Sequence, residues 1–282
     1  MCTAAGYQGN PEIDTNYIVW EDHRNGNYDI YMYDISTQSE TPICTNPAEQ
    51  EKPGIHGNHI IWQDSRNGQW DIYMYDLVTG KEKQVCTAPG DQEETEIDGN
   101  YIVWQDKRNS YRNIYIYDIS TETEKQITEM TDSRDPAIHG NYVVWETFNQ
   151  GDVKWNIFIY DISTGKAEQI ITTNNPKINP AIHGNYVVWD EVNNGNSAIF
   201  MYNISTGIPT HISDVSGYSH PAIHANNIVW KDEYNDVYMY DISTDTKITI
   251  SKEPRISSFF MVSVFVIFCL AAILYLRKRS QE

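Results

Sequence analysis

One pattern of about 42 residues recurs six times along this chain of 282 residues. A tryptophan that ends a short apolar run marks each copy, at Trp20, Trp62, Trp104, Trp145, Trp189 and Trp230. A second marker, the acid or amide that follows a later tyrosine, stands at Asp34, Asp76, Asp118, Asp161, Asn203 and Asp241. A repeat sustained to about residue 250 leaves no room for a second, unlike domain.

Each copy contains four short runs that are typical of β-strands, and we label them a to d. In the first copy these are Pro11–Ile13, Tyr17–Trp20, Asp29–Asp34 and Thr41–Thr45. Gly-Asn or a substitute separates a from b, and Asn-Gly separates b from c, and both pairs favour tight hairpins. The 20 tyrosines and 8 tryptophans also favour strands over helices. The sequence therefore predicts an all-β, six-bladed β-propeller over residues 1–254, with the recurring Trp and Tyr side chains in its core.

The beginning of the sequence lies inside a repeat. Met1-Cys-Thr3 aligns with Val85-Cys-Thr87, the end of a strand d whose blade is missing. Two interpretations are open at this point. The chain is a piece of a longer protein with a signal peptide and further blades upstream, or six full repeats close the ring alone.

The end of the sequence predicts a membrane anchor. Residues 256–276 form a run of 21 residues without a charge, and Arg277-Lys-Arg279 follows at once. That length is enough to cross a bilayer as a helix. The positive-inside rule then places the short basic tail, residues 277–282, in the cytoplasm and the propeller outside the cell. We expect a single-pass protein of the cell membrane whose propeller sits close to the lipid surface.

Charge and motifs narrow the classes of function. The chain carries 39 acidic and 20 Lys or Arg side chains, a net charge of −19. This balance argues against nucleic acid as a partner and favours a cationic partner or a metal-bridged contact. No nucleophile elbow, zinc-protease motif or phosphate loop is present, so we expect no enzyme and no catalytic residues. The four cysteines lack metal-site spacing, and we interpret them as packing residues.

The b–c turn carries the pattern Asp-x-Arg-Asn-Gly in the first two copies. It begins at Asp22 and Asp64, and a related turn begins at Asp106. Oxygen side chains around a glycine are typical of calcium loops, so calcium is one candidate cofactor. The alternative is an Asp–Arg pair that fixes the hairpin, and we expect this structural role, with no metal or cofactor.

Histidines recur at the a–b turn, at His56, His139, His183 and His224. We expect one imidazole per blade on one rim of the ring. The spacing of blades around an axis suggests that these rings lie too far apart to share a metal ion. A turn role is therefore expected.

The variable b–c and d–a loops are expected to open on one face of the ring and to carry the contacts. We predict binding residues among their aromatics and acids: Tyr28, Trp70, Trp155, Asp22, Asp64 and Asp106. The alternative for the aromatics is that they only begin strand c. Asn203-Ile-Ser205 is a candidate N-glycosylation site on an exported domain.

Two repeated motifs resemble a known family. The runs Gly-Asn-Tyr-Ile-Val-Trp-x-Asp-x-Arg-Asn-Gly and Asp-Ile-Tyr-Met-Tyr-Asp-Ile-Ser-Thr are similar to TolB-type β-propeller repeats of archaeal, methanogen-type cell-surface proteins. The resemblance covers residues 1 to about 251 and implies a scaffold for protein or glycan contact at the cell envelope. The membrane segment and basic tail are similar to archaeal sorting signals, although Lys252-Glu-Pro254 departs from their opening motif.

Two other classes of function are open. TolB-like propellers also form lyases and accessory domains of peptidases. A lyase would need histidines that converge on the channel, and a peptidase would need a hydrolase domain. A third interpretation is a truncated gene product without function.

Overall fold

The computed structural model describes residues 5–129, 132–151, 153–170 and 173–252. Within these ranges the chain forms 24 strands in six four-stranded antiparallel sheets, which gives the architecture of a six-bladed propeller. The six-bladed prediction is confirmed. The predicted membrane segment, residues 256–276, lies outside the described ranges, and none of the residues within them forms a helix that could cross a bilayer.

The strands follow chain order within every blade, so each blade is a meander. Blades 1 and 2 are β1 (Gln8–Asp14), β2 (Tyr17–Asp22), β3 (Asp29–Asp34), β4 (Ser39–Cys44), β5 (Gln50–His56), β6 (His59–Asp64), β7 (Asp71–Asp76) and β8 (Lys81–Cys86). Blades 3 and 4 are β9 (Gln92–Asp98), β10 (Tyr101–Asp106), β11 (Asn113–Asp118), β12 (Thr123–Gln126), β13 (Asp132–His139), β14 (Tyr142–Asn149), β15 (Lys154–Asp161) and β16 (Lys166–Gln169). Blades 5 and 6 are β17 (Lys177–His183), β18 (Tyr186–Asn193), β19 (Asn196–Asn203), β20 (Ile208–Val215), β21 (Ala222–His224), β22 (Asn227–Lys231), β23 (Val237–Asp241) and β24 (Thr246–Ser251).

The first strand of each blade is the innermost one. Strands β1, β5, β9, β13, β17 and β21 contact one another in sequence, whereas the fourth strands lie at the outer edge. The core sits between consecutive blades. The six repeat tryptophans are at most 6% exposed, which confirms them as core residues. Each packs beside the aromatic ring opposite it on strand c, as Trp62 does with Tyr73.

In blades 1 to 5 the side chain that follows the repeat tryptophan binds the backbone of the next blade. Glu21 Oε1 accepts a hydrogen bond of 2.6 Å from the backbone N–H of Lys52, a residue in the left-handed region with φ 54°. Four further bonds repeat this contact: Gln63 to Glu94, Gln105 to Asp135, Glu146 to Asn179, and Asp190 to His220. The acceptor satisfies an N–H that a strand bulge leaves unpaired. Lys231 holds the same position in blade 6 and carries no acceptor.

The seam between blades 6 and 1 differs from the other five. Hydrophobic clusters join blades 1–2, 2–3, 3–4, 4–5 and 5–6, and none formed by the described residues joins blade 6 to blade 1. Ile13 is 64% exposed, whereas its equivalent Ile55 is 8% exposed. Blade 1 therefore presents an uncovered apolar face along a cavity of 530 Å³ lined by Pro11, Ile18, Trp20, Tyr33 and Ile35, among others.

Candidate ligand-binding surface on the loop rim

The b–c hairpins and the d–a loops meet on one face of the ring, which we call the loop rim. The backbone N–H of Gln50 donates to the carbonyl of Tyr28 over 2.8 Å, and Gln92 donates to Trp70 over 2.7 Å. These bonds join the b–c hairpin of one blade to the d–a loop that leads to the next. The predicted meeting of the two loop sets is confirmed.

In blades 1 to 3 the b–c hairpin is locked by an aspartate and an arginine. Asp64 Oδ2 accepts from Trp62 Nε1 over 3.0 Å, and its two oxygens accept from the backbone N–H, Nε and Nη2 of Arg66. Arg66 Nη1 also donates to Glu82 over 2.6 Å. Burial acts to raise the pKa of the equivalent Asp22, but hydrogen bonds from Arg24 and Trp20 hold that pKa well below its usual range.

The three predicted binding aspartates are therefore structural. Asp22, Asp64 and Asp106 are fully buried, and N–H donors take up their oxygens. This arrangement leaves no surface for a ligand, and we assign the three residues to the hairpin lock instead of the contact surface. It also matches the expected Asp–Arg pair. Among the described residues no group of three or more His, Cys, Asp or Glu side chains is placed to hold a metal ion.

The three predicted aromatics lie half-buried on the loop rim. Tyr28 packs edge-on against Tyr7 and His23, with ring centres 6.1 and 5.0 Å apart. Trp70 stands directly before β7. Trp155 lies within β15, beneath the guanidinium of Arg134 at 4.0 Å. Neighbours on the rim hold these rings in place, and the structure does not bring the three together in one site.

The histidines lie closer together than expected. The ring centres of His139 and His183 are 4.2 Å apart, and those of His183 and His224 are 4.6 Å apart. His56 Nδ1 lies 3.3 Å from Asp98 Oδ1. The innermost strands bring equivalent positions of neighbouring blades into contact, but within the described ranges these histidines belong to no group of three or more side chains placed to hold a metal ion. Burial and the two adjacent imidazoles lower the pKa of His183.

Two other sets of predicted residues have structural surroundings. Cys44 and Cys86 are buried free thiols whose pKa burial raises, to about 11 and about 12. Cys2 and Cys269 lie outside the described residues. Asn203 Oδ1 accepts from the backbone N–H of Ser205 and Thr206, the same turn that Asp34 forms in blade 1. A turn role thus accounts for Asn203.

The hairpins of blades 4 and 5 depart from the lock. In both blades strands b and c are eight residues long, against six in blades 1 to 3. In blade 5 the turn is Asn194-Gly195 with φ of 50° and 82°, values that suit a two-residue hairpin turn. Neither hairpin has an arginine two residues after the position of Asp64. Each of the two blades leaves an open cleft beside its strand c.

The blade 5 cleft has a volume of 690 Å³ and a polar wall. Its lining includes Glu191, Asn193, Asn196, Phe200, His211 and Asp214. The blade 4 cleft has 520 Å³ and includes Thr147, Phe148 and Phe158. These side chains belong to the b–c and d–a loops that were predicted to carry contacts, but they were not among the predicted binding residues. The detectable signal in the sequence is that copies 4 and 5 replace both residues of Asp-x-Arg, whereas copy 6 replaces only the arginine.

A third, smaller cavity lies among the innermost strands of blades 1 to 3. It has a volume of 190 Å³ and is lined by Glu12, Lys52, Glu94 and Glu96, with Gly54 between the positions of Glu12 and Glu96. Lys52 Nζ lies 3.1 Å from Glu94 Oε2. Water reaches Glu96, yet the surrounding protein desolvates it, and together with Glu12 and Glu94 this raises its pKa to about 7.

The fold is a TolB-like propeller. TolB from Acinetobacter baumannii matches with a TM-score of 0.56 and 19% identity over 77% of this chain and 57% of that one. A prolyl endopeptidase gives a TM-score of 0.69 and 12% identity over 87% of this chain and 42% of that one. An oligogalacturonate lyase in complex with manganese gives a TM-score of 0.60 and 11% identity over 84% of this chain and 74% of that one. No protein-family model and no curated protein matches the sequence. At these identities the likeness concerns the fold alone.

Proposed function

We propose that this chain is a non-catalytic binding scaffold that presents its loop rim to a protein or glycan at the cell envelope. In this proposal residues 256–276 anchor the propeller in the cell membrane, with the propeller outside and the basic tail in the cytoplasm. The observation that carries the proposal is the pair of open clefts in blades 4 and 5. They occur where both residues of the hairpin lock of blades 1 to 3 are replaced, and polar and aromatic side chains line the space.

The alternatives are a lyase and an accessory domain of a peptidase. A manganese-dependent lyase would need clustered metal ligands, and the described residues contain no such group. The chain covers 42% of the prolyl endopeptidase, so a peptidase role would require a catalytic domain beyond the propeller. Neither alternative uses the rim clefts, and the scaffold interpretation does.

Two measurements test this proposal. Protease added to intact cells should release peptides of residues 5–252, and membrane fractions analysed by mass spectrometry should contain the full chain. Chemical cross-linking on intact cells, read by mass spectrometry, should then place cross-links to a partner on the loop rim of blades 4 and 5. Protection of the propeller in intact cells, or cross-links confined to other faces, would contradict the proposal.

A further inference from the structure

The first three blades show how this fold holds a guanidinium group. The guanidinium carbons of Arg24, Arg66 and Arg108 lie 4.0 to 4.1 Å from the ring centres of Tyr31, Tyr73 and Tyr115. An aspartate carboxylate on strand b binds each guanidinium from one side. A glutamate on strand d, such as Glu82 for Arg66, binds it from the other side. The site thus combines an aromatic face with two carboxylates, the chemistry that favours arginine.

Blade 5 keeps the aromatic ring and an acid on strand b, but it lacks the arginine and also the outer glutamate, whose position Pro209 holds. Glu191 stands two residues after Trp189, as Asp64 does after Trp62, and Phe200 pairs with Trp189 as Tyr73 pairs with Trp62. Asn193 occupies the position of the arginine. Asn193 cannot supply the guanidinium that covers the equivalent Tyr73 ring in blade 2, and the cleft of 690 Å³ lies beside the Phe200 ring.

The carboxylates of the cleft are held in place by neighbouring side chains. Glu191 accepts from Asn175 Nδ2 over 3.3 Å and from the hydroxyl of Thr173. Asp214, further along strand d than the outer glutamate position, lies 2.9 Å from His211 Nε2, and its side chain is 91% exposed, so a ligand can reach this carboxylate. His211 in turn packs edge-on against Phe200, with ring centres 5.2 Å apart. An ionised carboxylate accepts several hydrogen bonds, so these contacts are compatible with a further donor.

Blade 4 provides an internal control. Its cleft keeps an aromatic ring, Phe158, at the tyrosine position, but Thr147 replaces the aspartate. Asn149 holds the arginine position, as Asn193 does in blade 5. Blade 4 therefore offers the ring without the buried carboxylate, and only blade 5 among these two keeps both parts of the guanidinium site.

We propose that the blade 5 cleft binds the guanidinium group of an arginine side chain presented by a partner protein. The inference rests on the proposed scaffold function and names its partner chemistry. Charge agrees with it, because a chain of net charge −19 attracts a cationic segment. A planar guanidinium stacks on Phe200 and donates to two carboxylates at once, which a lysine ammonium does not do.

Peptide titration of the full chain tests the proposal. The probes are an acetylated, amidated Gly-Arg-Gly peptide and its lysine and citrulline counterparts, followed by calorimetry. We expect the arginine peptide to bind at least about tenfold more tightly than either counterpart, since citrulline keeps the shape but loses the charge. Equal binding of the arginine and citrulline peptides would overturn the proposal.

Variants locate the binding in blade 5. Asn193→Arg should abolish peptide binding and raise the thermal midpoint, because its own guanidinium fills the cleft as Arg66 does in blade 2. Asn149→Arg, the matched change in blade 4, should do neither. Asp214→Asn, a change at an exposed position, should weaken binding several-fold without loss of stability. Peptide binding that persists unchanged in Asn193→Arg would refute the assignment.

The outcomes separate this inference from the broader proposal. Rim cross-links to a partner on intact cells, together with equal binding of arginine and citrulline peptides, would refute the arginine site and leave the scaffold function standing. A second result would lead to the same conclusion: a neutral sugar binds the cleft, Asn193→Arg abolishes that binding, and the arginine peptide does not bind. The arginine site would be refuted and the scaffold function would stand. Protection of the propeller inside cells would overturn the scaffold function whatever the peptides show.

Discussion

At the scale of single residues, equivalent positions have different structural roles in different copies of the repeat. The residue two after the tryptophan is Asp in blades 1, 2, 3 and 6, Thr147 in blade 4 and Glu191 in blade 5. Where Asp is followed two residues later by Arg, the pair locks the hairpin. In blades 4 and 5, where Asn149 and Asn193 stand in place of Arg, the rim opens into a cleft. Single substitutions in a repeated frame therefore decide which part of the rim is available to a ligand.

Removing the carboxylate of the lock should destabilise the fold strongly. Asp64→Ala leaves Trp62 Nε1 and the guanidinium of Arg66 without their acceptor. Because breaking a buried pair by removing one partner costs several kcal/mol, we expect a loss of about 3 kcal/mol. Urea unfolding of the full chain measures it. The double variant with Arg66→Ala should be less destabilised than the sum of the two single changes, and simple additivity would contradict the lock.

The carboxylate of Glu96, which lines the cavity among the innermost strands of blades 1 to 3, should make the stability of the fold depend on pH. Its pKa of about 7 lies above the ordinary value of 4.5, so the folded chain binds more protons than the unfolded chain between these values. Its contribution is therefore most favourable below pH 4.5 and is lost as the pH rises through about 7. Glu96→Gln should raise the thermal midpoint slightly at pH 8, because solvent screens this exposed carboxylate, and should change it little at pH 4.5. Calorimetry of the original chain and the variant at both pH values measures these thermal midpoints. An equal change in midpoint at the two pH values would refute the raised pKa of Glu96.

At the scale of the blade, packing and hydrogen bonding of the repeat tryptophan are separable. Trp104 Nε1 donates to Asp106 over 3.0 Å, and Trp145 Nε1 donates to Thr147 over 2.9 Å. Trp189 is equally buried, yet among the described residues its Nε1 finds no hydrogen-bond partner. Blade 5 therefore keeps the packing of the repeat and gives up the polar half of the motif, in line with its open hairpin.

A matched pair of substitutions tests this difference. Trp104→Phe and Trp189→Phe remove a similar volume from similar sites, but only Trp104→Phe also removes a hydrogen bond to a buried carboxylate. We expect Trp104→Phe to be more destabilising by about 1 to 2 kcal/mol. Urea unfolding of both variants gives the comparison. Equal losses would mean that the indole N–H of Trp189 is satisfied in solution.

At the scale of the whole molecule, the ring has five well-packed seams and one that is uncovered. The five share an apolar cluster and a side-chain acceptor for a backbone N–H of the next blade. At the sixth, Lys231 replaces the acceptor and Ile13 is exposed. The apolar face of blade 1 has the same composition as the faces that are buried elsewhere in the ring.

Charge scanning across equivalent positions tests the exposed seam. Ile13→Lys should change stability by less than about 0.5 kcal/mol, as expected of a surface site. Ile55→Lys should cost several kcal/mol, because it buries a charge between blades 1 and 2. Thermal unfolding of the two variants measures both effects. A large loss for Ile13→Lys would show that another blade covers this face in solution.

Features that depend only on the local order of residues could be predicted before the fold was known. The period of about 42 residues, the four strands of each copy and the burial of the tryptophans follow from alternation, turn residues and spacing. Each of these features belongs to a single repeat, so the sequence of any one copy predicts it. The Asp–Arg hairpin could likewise be expected, since its partners lie two residues apart.

Features that depend on contact between neighbouring blades became visible in the folded chain. The histidine rings meet because adjacent inner strands bring residues about 42 positions apart into contact. The three predicted aspartates proved unavailable because arginine and tryptophan fold over them. The blade 5 cleft exists because an arginine is missing from a site whose ring and carboxylate remain. Such sites combine residues that are far apart in the chain. A sequence pattern identifies these residues but does not show which of them line the same cleft.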